Sequence, residues 1–140
     1  MKVLVDTNVL LDVLQAREPH YPASVAIWDM AERGDLTALV SAISFNNIYY
    51  IVTRLGDRRR AARALRLLRG TFGIVPLDPQ IIDQAIDAKL GDFEDAIQFF
   101  SAHHAAADFI LTRNAKDFPK SAIPALSPEE FLAIIGQPEA

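Results

Sequence analysis

Apolar and polar positions change rhythm along the chain, and each change marks a predicted element. Residues 2–6, Lys-Val-Leu-Val-Asp, are apolar and mostly branched up to a terminal acid, the pattern of a short buried strand closed by Asp6. Asn8 to Leu14 follow helical spacing that stops near Glu18-Pro19, because proline disfavours helix in the residue before it. A second helix fits Ala23–Arg33, with Val25, Ile27, Trp28 and Met30 as its apolar residues and Gly34 as its stop. Leu36–Val40 reads as a strand, after which Ser44 is placed to cap a helix that runs to Leu55 and stops at Gly56. Asp57 caps a further helix to Arg69, closed by Gly70. Phe72–Leu77 is strand-like, and Asp78-Pro79 pairs an N-cap with a proline in the first turn of a helix reaching about Leu90. Beyond Gly91, Asp92–Ala106 forms an amphipathic segment, followed by strands at Phe109–Thr112 and near Ile123–Ala125. Ser127 and Glu130 have capping-box spacing ahead of Phe131 and Leu132.

Strands separated by one or two helices, with no hairpin signal between the first three, predict a parallel sheet with helices on both faces. The expected class is α/β, with four to five strands in the sheet. A chain of 140 residues, 51% of them apolar, is of a size to form one domain around one core, here expected over 1–135 with a loose tail at 136–140. No apolar run is long enough for a membrane span, and the stretch after Met1-Lys2 is too short for a signal peptide, so a soluble, cytoplasmic protein is expected. The absence of cysteine excludes disulfides, thiolate metal sites and cysteine nucleophiles together. Any metal must therefore sit on oxygen or imidazole. A formal charge of −4 argues against coating nucleic acid by bulk electrostatics and leaves room for a local basic groove.

Candidate chemistry lies at strand ends, because the crevice of an open parallel sheet forms outside the carboxyl ends of its strands. Asp6 ends the first strand; Asn114 and Asp117 follow the strand Phe109–Thr112; Asp92 and Asp95, three apart at a helix start, share a face. Carboxylates converging on one crevice repel one another and raise each other's pKa values unless a cation sits among them. Hard divalent cations suit such a set, since Mg²⁺ prefers a few carboxylates, several waters and the phosphate oxygens of a substrate. Taken singly, Asp92 also reads as an N-cap and Asp117 as a turn residue.

The opening Val-Leu-Val-Asp-Thr-Asn-Val-Leu-Leu-Asp-Val-Leu (3–14), the central Asp-Phe-Glu-Asp-Ala-Ile-Gln (92–98) and the late Ile-Leu-Thr-Arg-Asn-Ala-Lys-Asp-Phe (110–118) together resemble the successive motifs of PIN-domain nucleases, nearest to toxins of the VapBC type. The resemblance covers nearly the whole chain. It implies a three-layer α/β/α domain, Mg²⁺- or Mn²⁺-dependent cleavage of RNA, homodimerisation and an inhibiting antitoxin partner. Carried over by position, it makes Asp6 and Asp95 the metal-site acids, with Asn8 beside the first and Asp92 and Asp117 as further candidate ligands. Asn114 joins the catalytic set, and Thr112 and Arg113 beside it join Asn8 as candidate substrate contacts.

Two positions depart from the pattern. Asn47 stands where the family usually has a glutamate, and Asn114 where it has an aspartate; each keeps a carbonyl oxygen and loses a charge. Asp117 and Glu94 are the acids placed to compensate. A catalytically weakened or inactive scaffold with the same fold is therefore the rival reading. A phosphoryl-transfer protein of receiver type ranks lower, since Phe72–Leu77 leads only to the cap-like Asp78-Pro79. Seven arginines, Arg54, Arg58, Arg59, Arg60, Arg63, Arg66 and Arg69, crowd one stretch of an otherwise acidic chain. Arg59, Arg63 and Arg66 have i, i+4, i+7 spacing, which reads either as a solvated helix face or as a stripe holding RNA phosphates. His103 and His104 are adjacent and cannot form an i, i+4 metal pair.

Overall fold

Val3, Leu4 and Val5 are all buried although side chains alternate across a strand, so both faces of this strand must be covered. In the computed structural model, which describes residues 1–136, they are. Five strands, β1 (Lys2–Val5), β2 (Thr37–Ser41), β3 (Gly73–Val75), β4 (Phe109–Leu111) and β5 (Ala125–Leu126), pair in the order β3-β2-β1-β4-β5, every pair parallel. Val3 and Val5 face one apolar layer, built from α1 (Thr7–Leu14), α2 (Tyr21–Glu32), α3 (Ala42–Leu55), α4 (Arg58–Thr71) and α7 (Pro128–Ile135). Leu4 and Ile110 face the other, against α5 (Pro79–Asp87) and α6 (Phe93–His104). This is the expected three-layer α/β/α arrangement. Leu4, Leu10, Ile48, Leu68, Ile81 and Ile97 are each less than 2% exposed, and burying such a side chain contributes about 1.5–3 kcal/mol. Edge-on aromatic pairs, Trp28 on Phe72 at 4.9 Å and Phe109 on Phe131 at 5.7 Å between centroids, close the first layer.

Most expected helix starts are present as capped ends. Side-chain oxygens of Asp57, Asp78, Asp92 and Ser127 accept from first-turn backbone N–H groups, and Ser127 with Glu130 forms the full capping box. Several boundaries differ, among them α2, which is Tyr21–Glu32 rather than Ala23–Arg33, and β5, which is Ala125–Leu126 rather than near Ile123–Ala125. Ser41, not Ser44, caps α3, and Ser44 turns into the interior one turn later. Helix α4 runs through Gly70 to Thr71, and the Phe72 N–H closes it on the Leu68 carbonyl as the ring enters the core. Strand β3 is only three residues long, because Phe72 ends the helix before it and Pro76 has no N–H to continue the ladder. Helix α5 ends at Asp87 rather than near Leu90, and Lys89 leaves it with a positive φ of 54°.

The chain starts the sheet at β1, builds outward through β2 to β3, then crosses to the other side of β1 for β4 and β5. The carboxyl ends of β1 and β4 therefore flank the point where strand order reverses, the place where such sheets open a crevice. Among the described residues, no helix is long and apolar enough to cross a membrane. The expected loose tail, 136–140, lies outside the described residues except for Gly136.

Candidate active site

A cleft of about 780 Å³ opens at this reversal point, and its walls include Asp6, Asn8, Asn47, Asp92, Glu94, Asp95, Asn114 and Asp117. Four separate stretches of sequence deliver them: the β1–α1 junction with the first turn of α1, α3, the start of α6, and Asn114 with the turn Ala115–Asp117 after β4. Asp6 leaves β1 as the N-cap of α1 and is 4% exposed. Its Oδ1 accepts from the Thr7 N–H at 2.7 Å and its Oδ2 from the Thr112 hydroxyl at 2.8 Å, so the carboxylate is fixed in orientation. Thr112 Oγ1 in turn accepts from the Asn114 N–H at 3.1 Å, which ties the β4 loop to the same acid. Asp95 sits in the first turn of α6, where the Asp92 carboxylate accepts from its N–H at 3.0 Å.

Burial raises the Asp6 pKa to about 7; its two hydrogen bonds oppose the rise, and the charges of Asp95 and Glu94 add to it. Burial likewise lifts Asp95 to about 6, with Asp92, Asp117 and Glu94 as the repelling neighbours. A cation seated among these carboxylates would oppose both shifts. Among the polar side chains of the lining are carboxylates and amides whose hard oxygen donors suit Mg²⁺ or Mn²⁺. Among the described residues, no three acid or imidazole groups stand close enough to make a complete cage. A cation here would rely on one or two carboxylates with waters and substrate oxygens filling the rest, which is the usual habit of Mg²⁺.

The PIN domain family model matches residues 2–116 of this sequence. The chain belongs to the PIN domain family. A curated relative, Ribonuclease VapC1 of Aquifex aeolicus, is 27% identical over 135 residues, spanning 93% of this chain and 92% of the relative. Among solved structures, VapBC2 from Rickettsia felis bound to a promoter DNA fragment superposes with a TM-score of 0.68 at 13% identity, covering 91% of this chain and 98% of that one. A toxin–antitoxin complex from Klebsiella pneumoniae gives a TM-score of 0.66 at 22% identity, covering 90% and 97%. At these identities the superpositions speak for the fold.

Not every candidate residue of this PIN domain reaches the cleft. Thr112 is fully buried with its hydroxyl committed to Asp6, so it supports that acid rather than facing a substrate. Arg113 donates its backbone N–H to Asn8 Oδ1 at 3.3 Å, but its guanidinium turns away to the buried Asp12, Nε to Oδ2 2.9 Å. That pair is close but not aligned as a hydrogen bond, and burial raises the Asp12 pKa while Arg113 is the main group opposing the rise. Arg59, Arg63 and Arg66 are exposed on α4, and none lines the acid cleft. Arg63 instead borders a second groove with Arg60, Leu14, Leu55 and Leu67, of about 570 Å³. Asp92 lines the cleft with one oxygen occupied in capping, so its two readings coexist.

Three residues escaped the sequence reading. Thr7, Ser44 and Gln98 are buried polar side chains joined by hydrogen bonds behind the cleft. Ser44 shares i, i+4, i+8 spacing with the buried Ile48 and Val52, a signal that it faces inward instead of capping. Gln98 lies one turn from Glu94 on α6, on the same face. Tyr50, 58% exposed at the rim, accepts from Arg54 Nη1 at 2.9 Å.

Proposed function

We propose that this PIN domain is a divalent-cation-dependent endoribonuclease, the toxin of a toxin–antitoxin pair, acting in the cytoplasm with Mg²⁺ or Mn²⁺. The observation that carries the reading is the gathering of Asp6 and Asp95, both with raised pKa values, in one acid-lined cleft at the sheet's reversal point. The relationship to a ribonuclease matched over 92% of its length supports the reaction class. When bound, the cation supplies a water of lowered pKa and neutralises charge on the phosphate under attack. Asp6 and Asp95 hold it, Asp6 without reorganisation because both its oxygens are already oriented. Asp92 and Asp117 add negative charge at the mouth, and the amides of Asn8, Asn47 and Asn114 present oxygens and N–H groups to the sugar–phosphate chain.

For partners, the reading takes an antitoxin protein, a second copy of the chain and single-stranded RNA. The groove edged by Arg60 and Arg63 over Leu14, Leu55 and Leu67 suits an acidic segment with apolar anchors. The test is cleavage of labelled RNA by purified protein with Mn²⁺, with EDTA, and with Asp6→Asn. Divalent-dependent cutting lost in the variant is the expected result, and cutting that survives EDTA overturns the proposal. A second reading, a non-cleaving scaffold, draws on the neutral Asn47 and Asn114 in the cleft. It predicts no specific Mn²⁺ binding at all.

A further inference from the structure

We propose that Tyr50, held by Arg54, is a stacking platform for an unpaired base of single-stranded RNA, beside the phosphate that is cut in the acid cleft. The assignment rests on the nuclease reading of that cleft and names how the substrate is gripped there. It answers a problem of charge. Asp6, Asp92, Glu94, Asp95 and Asp117 line the cleft, and none of the described residues lining it is Lys, Arg or His. Nucleic-acid binding ordinarily draws on basic side chains that neutralise phosphates, whereas phosphates brought among carboxylates are repelled. A bound cation can meet the phosphate under attack, but the rest of the strand needs a contact that does not depend on charge. Stacking of a base on an aromatic ring is such a contact, and every base offers a π-face for it.

Tyr50 is the only aromatic among the described residues that line the cleft. Asn47, Tyr50, Ile51 and Arg54 have i, i+3, i+4, i+7 spacing, so they share one face of α3. Asn47, Tyr50 and Ile51 bring that face to the cleft, together with Leu11 of α1. Tyr50 lies about 4.5 Å beyond Asn47 along the helix axis, so a strand passing the Asn47 amide meets the ring next. The ring is exposed and adds little to the core, yet its orientation is fixed. Arg54 Nη1 donates to the Tyr50 hydroxyl at 2.9 Å, and the guanidinium carbon lies over the ring, 5.5 Å from its centroid. A tyrosine has few torsions to lose, and these two contacts hold them in advance, which lowers the ordering cost of receiving a base. Half-buried Ile51 adds apolar surface beside the ring. The neighbouring aromatics are placed differently: Phe45 packs against the core, and neither it nor Tyr49 lines the cleft.

Equilibrium binding of a short oligoadenylate carrying 2-aminopurine tests this, beside an abasic ribose–phosphate chain of the same length. Ca²⁺ serves as the oxygen-seeking cation, and the RNA is checked to be intact afterwards. Wild type is expected to quench the 2-aminopurine and to prefer the base-bearing chain. Tyr50→Leu should bind that chain roughly tenfold more weakly, within the range found for one base on one aromatic ring, and should bind the abasic chain as wild type does. Tyr50→Phe, which keeps the ring, should retain most of the preference. A purely structural role for Tyr50 would weaken both chains alike and would overturn the proposal. Equal binding of oligoadenylate by wild type and Tyr50→Leu would overturn it too; if that exchange instead turns a dimer into a monomer, the ring belongs to a contact between copies. Mn²⁺-dependent cutting of the same RNA by wild type keeps the two readings apart. A wild type that cuts but shows no preference for bases sinks the platform and leaves the nuclease; one that neither binds nor cuts sinks both.

Discussion

The acid cleft and the arginine run are the two strongly charged regions of this molecule, and they are built in opposite ways. The cleft collects its acids from three stretches of a chain that only the parallel sheet brings together, and it buries the central one. The arginines lie within one continuous stretch, all exposed, with Arg63 beside a mainly apolar groove. Burial converts charge into chemistry by shifting pKa values and excluding water. Exposure leaves charge solvated, screened by salt and fit mainly for attraction of a partner. Density of charge in the sequence is therefore a poor guide to where carboxyl pKa values are shifted; convergence at strand ends is a better one.

The sharpest way to break this contrast is to neutralise one residue in each region. Asp6→Asn or Asp95→Asn should lower the Mn²⁺-dependent cleavage rate by roughly 10²- to 10³-fold, the scale of losing one preorganised electrostatic group, while circular dichroism stays native. Neutralising Arg59, Arg63 and Arg66 together should leave kcat near wild type. Equal losses of kcat in both sets would mean that the arginines reach the reacting phosphate.

The raised Asp6 pKa gives a stability test. Its folded value of about 7 exceeds the ordinary value of 3.8, so the native state binds more protons than the unfolded state between those limits. Stability without divalent cation is then greatest at acid pH and falls as pH rises through about 7, by as much as roughly 4 kcal/mol for this group. Chemical denaturation at several pH values in EDTA reads this directly. Asp6→Asn should flatten the dependence, and added Mn²⁺ should reverse it near neutral pH. A steeper rise in stability toward pH 7 in EDTA would contradict the burial argument.

Arg113 sharpens the comparison from the other side, since it is a cation near the cleft whose side chain serves the fold. Arg113→Met should destabilise the protein by roughly 3 kcal/mol, because Asp12 would be left as an unpaired buried charge, with the partial exposure of Arg113 keeping the loss near the lower end. If thermal unfolding is unchanged and RNA affinity drops instead, the guanidinium faces substrate. The smallest effect belongs to the α4 stripe, where removing one arginine–phosphate interaction should reduce the log–log salt dependence of RNA binding by about 0.7–0.9. An unchanged slope assigns the stripe to a protein partner or to solvent.

Most of the fold was legible because its periodicities were undisturbed: β1 ends at Val5, just before its acid, and four expected caps hold their helices. The cleft was legible too, since the strand-end argument alone selects Asp6, Asn114 and Asp117. What escaped has one physical origin. Side-chain direction at a single residue depends on tertiary packing, so Ser44 read as a cap faces Thr7, and Arg113 read as a substrate contact faces Asp12. The Gln98–Ser44–Thr7 connection joins residues 91 and 54 positions apart, which no local pattern encodes.

Whether cation binding and RNA cleavage share the Asp6–Asp95 cleft is the question on which the functional reading turns. Mn²⁺ titration and RNA cleavage should be followed in the same preparations of wild type and Asp95→Asn near pH 7.5, where the raised carboxyls are ionised. The expected result is saturable Mn²⁺ binding in the wild type, cleavage that rises with site occupancy, and the loss of both in Asp95→Asn. Cleavage that persists in Asp95→Asn, or that proceeds at full rate with no Mn²⁺ bound, would contradict it.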